Sequence, residues 1–224
     1  MTKETMMINT FIFDLDGVIV DTAKYHYLAW KKLAEQLNLQ FTIRDNELLK
    51  GVSRRRSLEI ILELNGVRMD DEEIEKYCAQ KNEIYVEYID HLKEEEILPG
   101  VKEFIDGARK EGVRIALGSA SKNSRKILDK LKITNLFDAV IDGTKVSKAK
   151  PDPEVFLKGC YELGSEPEQC VVFEDSLAGI MAAHNGGMKA IGVSNNEIRQ
   201  YCDYFIPGFV NVDAAVLKKK VAGG

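Results

Sequence analysis

Asp14 and Asp16 are separated by one residue and directly follow the first strongly apolar run of the chain, residues 8–13. Residues two apart in an extended segment project to the same side. Two carboxylates placed in this way can divide a group-transfer reaction, because one can attack as a nucleophile while the other exchanges a proton with the substrate oxygen. Taken alone the pair is a weak signal, since acidic residues often follow strands in loops.

Two later segments offer groups that could bind a phosphate. Ser119 follows the apolar run 114–117, and exposed backbone amides near Ser121 and Asn123 precede a predicted helix. Such a helix start can cradle phosphate, although Ser121 or Asn123 could also serve as a simple helix cap. Lys150, in a loop before another predicted helix, could neutralise a cluster of anions, although a loop lysine is more often ordinary surface.

A second acidic pair, Glu174 and Asp175, ends the apolar run 170–173. The carboxyl ends of parallel strands open onto one ligand crevice, so we expect this pair to face Asp14 and Asp16. Carboxylate oxygens are the ligands that Mg²⁺ prefers in proteins. The sequence therefore predicts a magnesium site that also offsets the repulsion between an anionic phosphate and a carboxylate nucleophile.

The elements that must position these groups follow from hydrophobic periodicity. Apolar runs that read as strands alternate with helix-period segments, which predicts a parallel sheet covered by helices on both faces. The strands are expected at 8–13, 114–117, 139–141, 170–173 and 189–193, and the helices at 101–111, 123–131, 153–163 and 176–185. Residues 22–96 show helical periodicity without a strand. We therefore expect an α/β, Rossmann-like core formed by residues 1–21 and 97–224, with a small α-helical cap domain inserted at 22–96.

Composition narrows the class of protein. The 224 residues are 45% hydrophobic and 30% charged, which is typical of a soluble globular protein, and the net charge of −5 gives no footprint for nucleic acid. The four cysteines form no CxxC pair, and the first residues contain no apolar stretch long enough for a signal peptide or membrane span. We expect a cytoplasmic protein without nucleic-acid or membrane partners, and a monomer, because domain opening requires a free cap.

The motifs FDLDGVIVDT, LGSAS, KAKPDP and VVFEDSLAGI resemble, in this order, the four motifs of the haloacid dehalogenase superfamily, and the resemblance covers essentially the whole chain. It implies phosphoryl transfer with Asp14 as the nucleophile. Asp16 would be the general acid/base and would lend its backbone carbonyl to Mg²⁺. The resemblance assigns Ser119 and Lys150 to the transferring phosphate and Glu174 and Asp175 to the metal. Lys145 has no assigned role, and Lys148 stays an alternative to Lys150, which its pairing with Pro151 favours.

The stretch LKGVSRRRS at residues 49–57 allows two interpretations. It could be a helix start with Ser53 as the N-cap and solvated arginines, or Arg54 could face the core and clamp a second phosphate. Residues 21–30, 50–57 and 119–123 together resemble members of the superfamily that interconvert β-D-glucose 1-phosphate and glucose 6-phosphate through β-glucose 1,6-bisphosphate. This resemblance assigns Arg54, Ser121 and Asn123 to the non-transferring phosphate, with Ala120 in the same loop. It places Trp30, Lys50, Gly51, Val52 and Ser57 at the sugar, and it gives His26 and Lys81 the task of coupling cap closure to the placement of Asp16.

Three functions remain open from the sequence. A mutase must hold one phosphate while the other reacts, so it needs a second cationic site about one sugar length from Asp14. A sugar-phosphate or other phosphomonoester phosphatase needs no such site. A non-enzymatic binding module is disfavoured, because the nucleophile and the metal carboxylates are all present. For a mutase we expect Asp16 to be ready for proton transfer only in the closed state. His91 and His184 are interpreted as structural.

Overall fold

The computed structural model describes residues 7–49 and 52–223. Lys50 and Gly51, both expected at the sugar site, lie outside the described residues. The described chain forms one six-stranded, wholly parallel sheet in the order β3-β2-β1-β4-β5-β6. The strands are β1 Thr10–Phe13, β2 Arg114–Gly118, β3 Ala139–Ile141, β4 Cys170–Glu174, β5 Lys189–Val193 and β6 Tyr204–Ile206.

Nine α-helices accompany the sheet in the described part of the chain. They are α1 Ala23–Gln36, α2 Ile43–Asn46, α3 Arg54–Leu64, α4 Asp71–Ile89, α5 Val101–Lys110, α6 Ser124–Lys130, α7 Glu154–Glu162, α8 Leu177–Asn185 and α9 Ala214–Ala222. All four predicted core helices are present, with ends that differ by about one residue from the expected ones. One strand was not predicted: β6 has only three residues and lies partly exposed at the edge of the sheet.

Alternation along the buried strands supplies a core on each face of the sheet. Phe11 and Phe13 of β1 point to one face, where Phe13 stacks on Phe173 with ring centroids 4.5 Å apart. Ile12 points to the other face and joins the core under α7 and α8, which includes Phe156. Since both faces are covered, the strands are continuous apolar runs, as the sequence pattern predicts.

Helices α1 to α4, which we call the helical insert, follow β1 without contributing a strand. Helix α4 packs against both α1 and α3. Ser53 and Asp70 cap α3 and α4 by accepting hydrogen bonds from backbone N–H groups in the first turn. The Ser53 cap expected from the sequence is therefore present.

Two chain segments connect the helical insert to the sheet, and they run side by side. The Asp21 N–H donates to the Glu96 carbonyl, and the Leu98 N–H donates to the Ile19 carbonyl, each at 2.9 Å. Val20 forms an antiparallel bridge with Ile97. The entry and exit of the insert are thus fastened to each other close to Asp16. None of the described helices combines the length and apolar character needed to cross a bilayer.

Candidate active site

The ends of neighbouring parallel strands bring the predicted chemical groups together. Asp14 follows β1 and its N–H donates to the Phe173 carbonyl of β4 at 3.0 Å. Ser119 follows β2, and Glu174 is the last residue of β4. Chain order reverses between β1 and β4, which is where an open α/β sheet forms its ligand crevice. The structure therefore gathers these side chains at one sheet edge, as the strand-end pattern predicts.

Lys150 joins the two acidic strand ends. Its Nζ lies 2.6 Å from Asp14 Oδ1 and 2.6 Å from Glu174 Oε1, and its side chain is 3% exposed. The ammonium also lies 4.7 Å from the centre of the Phe156 ring. Lys148, the sequence alternative, is 68% exposed and pairs with Asp152. The structure therefore places Lys150 at the carboxylates, and Lys148 in solvent.

Burial and charge set the protonation of this cluster. Burial raises the pKa of the Asp14 carboxyl, the nearby Glu174 and Asp16 charges raise it further, and Lys150 opposes all three. The two carboxylates in turn raise the pKa of Lys150 above its ordinary value, overcoming the effect of its own burial. Lys150 is therefore a cation that opposes, without cancelling, the rise in the pKa of Asp14 that burial causes.

Three carboxylates are placed to share a cation. Asp14, Glu174 and Asp175 each offer one oxygen, and these oxygens lie within 4.8 Å of one another. Hard carboxylate oxygens on adjacent strand ends suit Mg²⁺, so these residues fit the predicted metal. Asp175 packs over Gly17, where an added Cβ would lie 2.2 Å from Asp175 Oδ2. The Asp16 carboxylate is outside this group of described residues, and the role expected for its backbone carbonyl stays a prediction.

Glu174 is held from the side opposite Lys150. Its Oε2 accepts hydrogen bonds from the Ser176 N–H at 2.7 Å and from the Ser176 hydroxyl at 2.9 Å. Gly179 leaves room for the Glu174 carboxylate, because an added Cβ at position 179 would lie 1.9 Å from Glu174 Cδ. One carboxylate oxygen thus fixes the side chain while the other faces Lys150 and Asp14.

The Asp16 carboxylate turns toward the helical insert. It accepts a hydrogen bond from the hydroxyl of Thr22, a fully buried residue immediately before α1. Burial raises the pKa of Asp16, although the Thr22 bond works in the opposite direction. A raised pKa suits a carboxyl group that must carry a proton to a leaving oxygen. Sequence reasoning assigned Thr22 no role, although it lies inside the motif FDLDGVIVDT.

His26 and Lys81, which were expected to act together, are in contact. Lys81 Nζ lies 2.8 Å from His26 Nδ1, and the His26 ring stacks on Tyr85 at 4.0 Å. The ammonium also faces the rings of Trp30 and Tyr85 at 5.0 and 4.8 Å. Burial, together with the Arg54 charge, lowers the pKa of Lys81 to about 7. Burial and Lys81 lower the pKa of His26, so His26 is neutral and accepts the bond at Nδ1.

A second polar group lies where the helical insert meets the core. Arg54, the first residue of α3, donates from Nη2 to Asn82 Oδ1 at 2.8 Å. Asn123 donates from Nδ2 to the same Asn82 oxygen at 2.9 Å. The Ser121 hydroxyl accepts from the Asn123 N–H at 3.2 Å. Of these residues, Asn82 was missed, because a single asparagine on an amphipathic helix carries no motif.

One cavity of about 470 Å³ connects these groups. Its walls come from both the helical insert and the sheet edge. The predicted residues that line it are Asp14, Asp16, His26, Trp30, Val52, Arg54, Ser57, Lys81, Ser119, Ala120, Ser121, Lys150, Glu174 and Asp175. Asn123 lies behind this wall through its bond to Asn82, and Ser57 donates its hydroxyl hydrogen to the Ser53 carbonyl. The cavity therefore has carboxylates and Lys150 in one region and Arg54 with Ser121 in another.

Known proteins that are similar to this chain include enzymes named for their action on sugar phosphates. Residues 11–193 match the family model described as haloacid dehalogenase-like hydrolase. The chain is 43% identical over 188 residues to a β-phosphoglucomutase of Bacillus subtilis, covering 83% of each protein. It is 34% identical over 182 residues to a fructose-1-phosphate phosphatase of Escherichia coli, covering 81% of this chain and 94% of that one.

A solved structure shows the same fold over nearly the full length. The crystal structure of a β-phosphoglucomutase from Clostridium difficile superimposes with a TM-score of 0.92 at 37% identity, covering 97% of this chain and 98% of that one. The predicted α/β fold with a parallel sheet is thereby confirmed.

Proposed function

The chain belongs to the haloacid dehalogenase-like hydrolase family, and from this premise we propose that it is a Mg²⁺-dependent β-phosphoglucomutase. The reaction interconverts β-D-glucose 1-phosphate and glucose 6-phosphate through β-glucose 1,6-bisphosphate. The observation that carries the proposal is the single cavity with two separate groups for anions. Asp14 and Lys150 lie in one group, and Arg54 and Ser121 lie in the other.

Chemistry at the first group uses the two aspartates. The phosphorylated Asp14 transfers its phosphoryl group to the 6-hydroxyl oxygen of β-glucose 1-phosphate. A new P–O bond forms to the sugar, the P–O bond to Asp14 breaks, and Asp16 takes the hydroxyl proton. The bisphosphate then presents its 1-phosphate. Asp14 attacks that phosphorus, the bond to the sugar O1 breaks, and Asp16 returns the proton to O1.

Other side chains hold the reacting groups. Lys150 and Ser119 bind the transferring phosphate, and the charge of Lys150 also opposes the rise in the pKa of Asp14. Bound at Asp14, Glu174 and Asp175, Mg²⁺ would supply positive charge that offsets the repulsion between the phosphate and its carboxylate nucleophile. The buried, doubly held position of Glu174 supports this assignment.

The second group holds the phosphate that does not react. We assign this task to Arg54, Ser121 and Asn123, and the sugar to residues that include Trp30, Val52 and Ser57. The expected sugar contacts of Lys50 and Gly51 stay predictions. Arg54 is half-buried, and burial lowers its pKa without removing its charge. A partly desolvated guanidinium is a strong partner for phosphate.

Movement of the insert would control when the chemistry proceeds. We propose that residues 22–96 form a cap that closes on the core of residues 1–21 and 97–224, with the paired segments at Val20 and Ile97 as its hinge. Asp16 is bound to Thr22 at the start of this insert, and the His26–Lys81 pair would couple closure to its release. We also propose a cytoplasmic monomer that acts on a small sugar phosphate, without a nucleic-acid or membrane partner. The four free thiols support a reducing compartment.

A phosphatase is the second candidate, because the relative from Escherichia coli is a fructose-1-phosphate phosphatase. The test gives purified enzyme β-glucose 1-phosphate, Mg²⁺ and a trace of glucose 1,6-bisphosphate. We expect glucose 6-phosphate as the main product and none from Asp14→Asn. Free glucose and inorganic phosphate formed at a comparable rate would contradict the mutase.

Arg54→Ala distinguishes the two reactions further. We expect it to reduce mutase turnover about 100-fold and hydrolysis of a small phosphomonoester less than threefold, because only the mutase substrate carries a distant phosphate. The matched control is Arg56→Ala, which removes a surface arginine of the same helix that pairs with Glu63. Equal losses in both reactions would show that Arg54 does not bind the second phosphate.

A further inference from the structure

Three consecutive arginines begin α3, and their partners differ in charge. Arg55 forms ion pairs with Glu59, Asp71 and Glu75. Arg56 likewise pairs with carboxylates. Arg54 has no carboxylate within ion-pair distance among the residues that the structure describes. Its hydrogen-bond partner is the neutral side chain of Asn82, at 2.8 Å. Arg54 and Arg55 both line the cavity, and of these two Arg54 is the one without an ion pair among the described residues.

Asn82 also makes a connection across the cavity wall. Its side-chain oxygen accepts from Arg54 Nη2 of the helical insert and from Asn123 Nδ2, which precedes the core helix α6. An amide oxygen has two lone pairs, and both are used here. The two donors are consequently held at a fixed separation by one atom. Each keeps further N–H groups available, since a guanidinium has five and an amide has two.

We infer that Asn82 is a positioning residue that pre-assembles Arg54 and Asn123 as one anion site while leaving the charge of Arg54 available to the second phosphate of the substrate. This inference rests on the proposed function and deepens it. A carboxylate at position 82 would orient Arg54 equally well. It would also neutralise the guanidinium and repel the phosphate. A neutral amide provides the orientation without that competition.

The experiment compares Asn82→Asp, which keeps the acceptor oxygen and adds a charge, with Asn82→Ala, which removes the acceptor. Gln80→Ala is the matched control, because Gln80 lies on the same helix and makes an amide–amide bond of 2.9 Å to Gln36 away from the cavity. The first readout is KM and kcat for β-glucose 1-phosphate. The second is the dissociation constant of glucose 6-phosphate, measured by calorimetry with each change combined with Asp14→Asn to prevent turnover.

We expect Asn82→Ala to weaken glucose 6-phosphate binding about 10-fold and to raise KM similarly, while kcat changes less than threefold. Asn82→Asp should weaken binding by about 10- to 100-fold, because the new carboxylate opposes the phosphate directly. Gln80→Ala should stay within twofold of wild type. A purely structural role would lower the melting temperature of the Asn82 variants without this change in KM.

Two results overturn different statements. The role of Asn82 is overturned if either Asn82 variant binds glucose 6-phosphate with a dissociation constant within twofold of wild type. Failure of the wild-type enzyme to form glucose 6-phosphate from β-glucose 1-phosphate overturns the proposed function, whatever the variants bind.

Discussion

Replacing Lys150 by methionine tests whether this lysine is the electrostatic centre of the site. Methionine is similar in length and can keep the contact with the Phe156 ring, so the change removes mainly the charge. Two carboxylates, Asp14 and Glu174, lose their common partner at 2.6 Å and stay buried. Removing one partner of a buried ion pair costs about 3–5 kcal/mol. For a chain of this size that corresponds to a fall in melting temperature of roughly 6–20 °C.

An exposed ion pair provides the reference for the stability loss expected of Lys150→Met. Lys158 lies 2.6 Å from Glu154 Oε1, the same separation as in the buried cluster, but its side chain is 44% exposed. Solvent screens such a pair, so Lys158→Met should lower the free energy of unfolding much less than Lys150→Met does. Because the separation is equal in the two cases, the difference in unfolding free energy reports burial together with the second carboxylate partner of Lys150. Urea unfolding followed by circular dichroism in EDTA measures both variants without a contribution from bound cations.

The pH dependence of the Lys150→Met defect has a defined sign. Burial already raises the pKa of Asp14 in the folded protein, and loss of the opposing lysine raises it further. The pKa of Asp14 is therefore higher in the folded variant than in the unfolded chain. At pH values between these two pKa values the folded state binds more protons than the unfolded state, so stability falls as pH rises. The difference between wild type and variant should accordingly be smaller at pH 5 than at pH 8.

Two outcomes would refute this reasoning. One is a Lys150→Met defect no larger than that of Lys158→Met, and the other is a defect independent of pH. The double variant Lys150→Met with Asp14→Asn adds a check, because it removes one of the two uncompensated charges. It should recover about half or more of the lost stability. No recovery would show that the defect comes from packing around Phe156.

Two further predictions concern groups that flank the carboxylates. Folded Lys81 releases its proton near pH 7 and an unfolded lysine near 10.5, so wild-type stability should rise between these pH values. Lys81→Met should flatten that rise in urea titrations at pH 7 and 9.5, and an unchanged slope would contradict the buried lysine. Gly179→Ala should displace Glu174 and weaken Mg²⁺ binding by calorimetry about 10- to 100-fold. Gly159→Ala is its control, since an added Cβ at position 159 meets Ala116 at an ordinary 3.5 Å. Equal Mg²⁺ affinities of the two glycine variants would show that the clash with Glu174 does not occur.

The placement of the core side chains could be predicted because they follow the strand ends in a fixed order. Asp14, Ser119 and Glu174 each sit where an apolar run stops, and parallel strands must end at the same edge. Apolar periodicity alone is enough to locate such ends to within a residue or two. Lys150 was harder, because a lysine in a long loop has no periodicity to fix it. In the structure, its burial and its contacts with Asp14 and Glu174 distinguish it from the exposed Lys148.

The parts that sequence reasoning missed depend on contacts between distant segments. Asn82 acquires its significance from Arg54, 28 residues earlier, and from Asn123, 41 residues later. Thr22 matters because the chain turns back so that its hydroxyl reaches Asp16. A polar residue on an amphipathic helix has the same local pattern whether it faces solvent or a partner, so periodicity cannot separate the two.

The chain contains one tryptophan, and it lies in the cavity wall with its ring centre 5.0 Å from the Lys81 ammonium. An indole emits at a wavelength that depends on the electric field and on the water around it. The fluorescence of Trp30 therefore reports two events: the gain or loss of the Lys81 charge, and any change in hydration caused by the movement proposed for the helical insert. Because no other indole contributes to the signal, the enzyme can be followed in solution without a label.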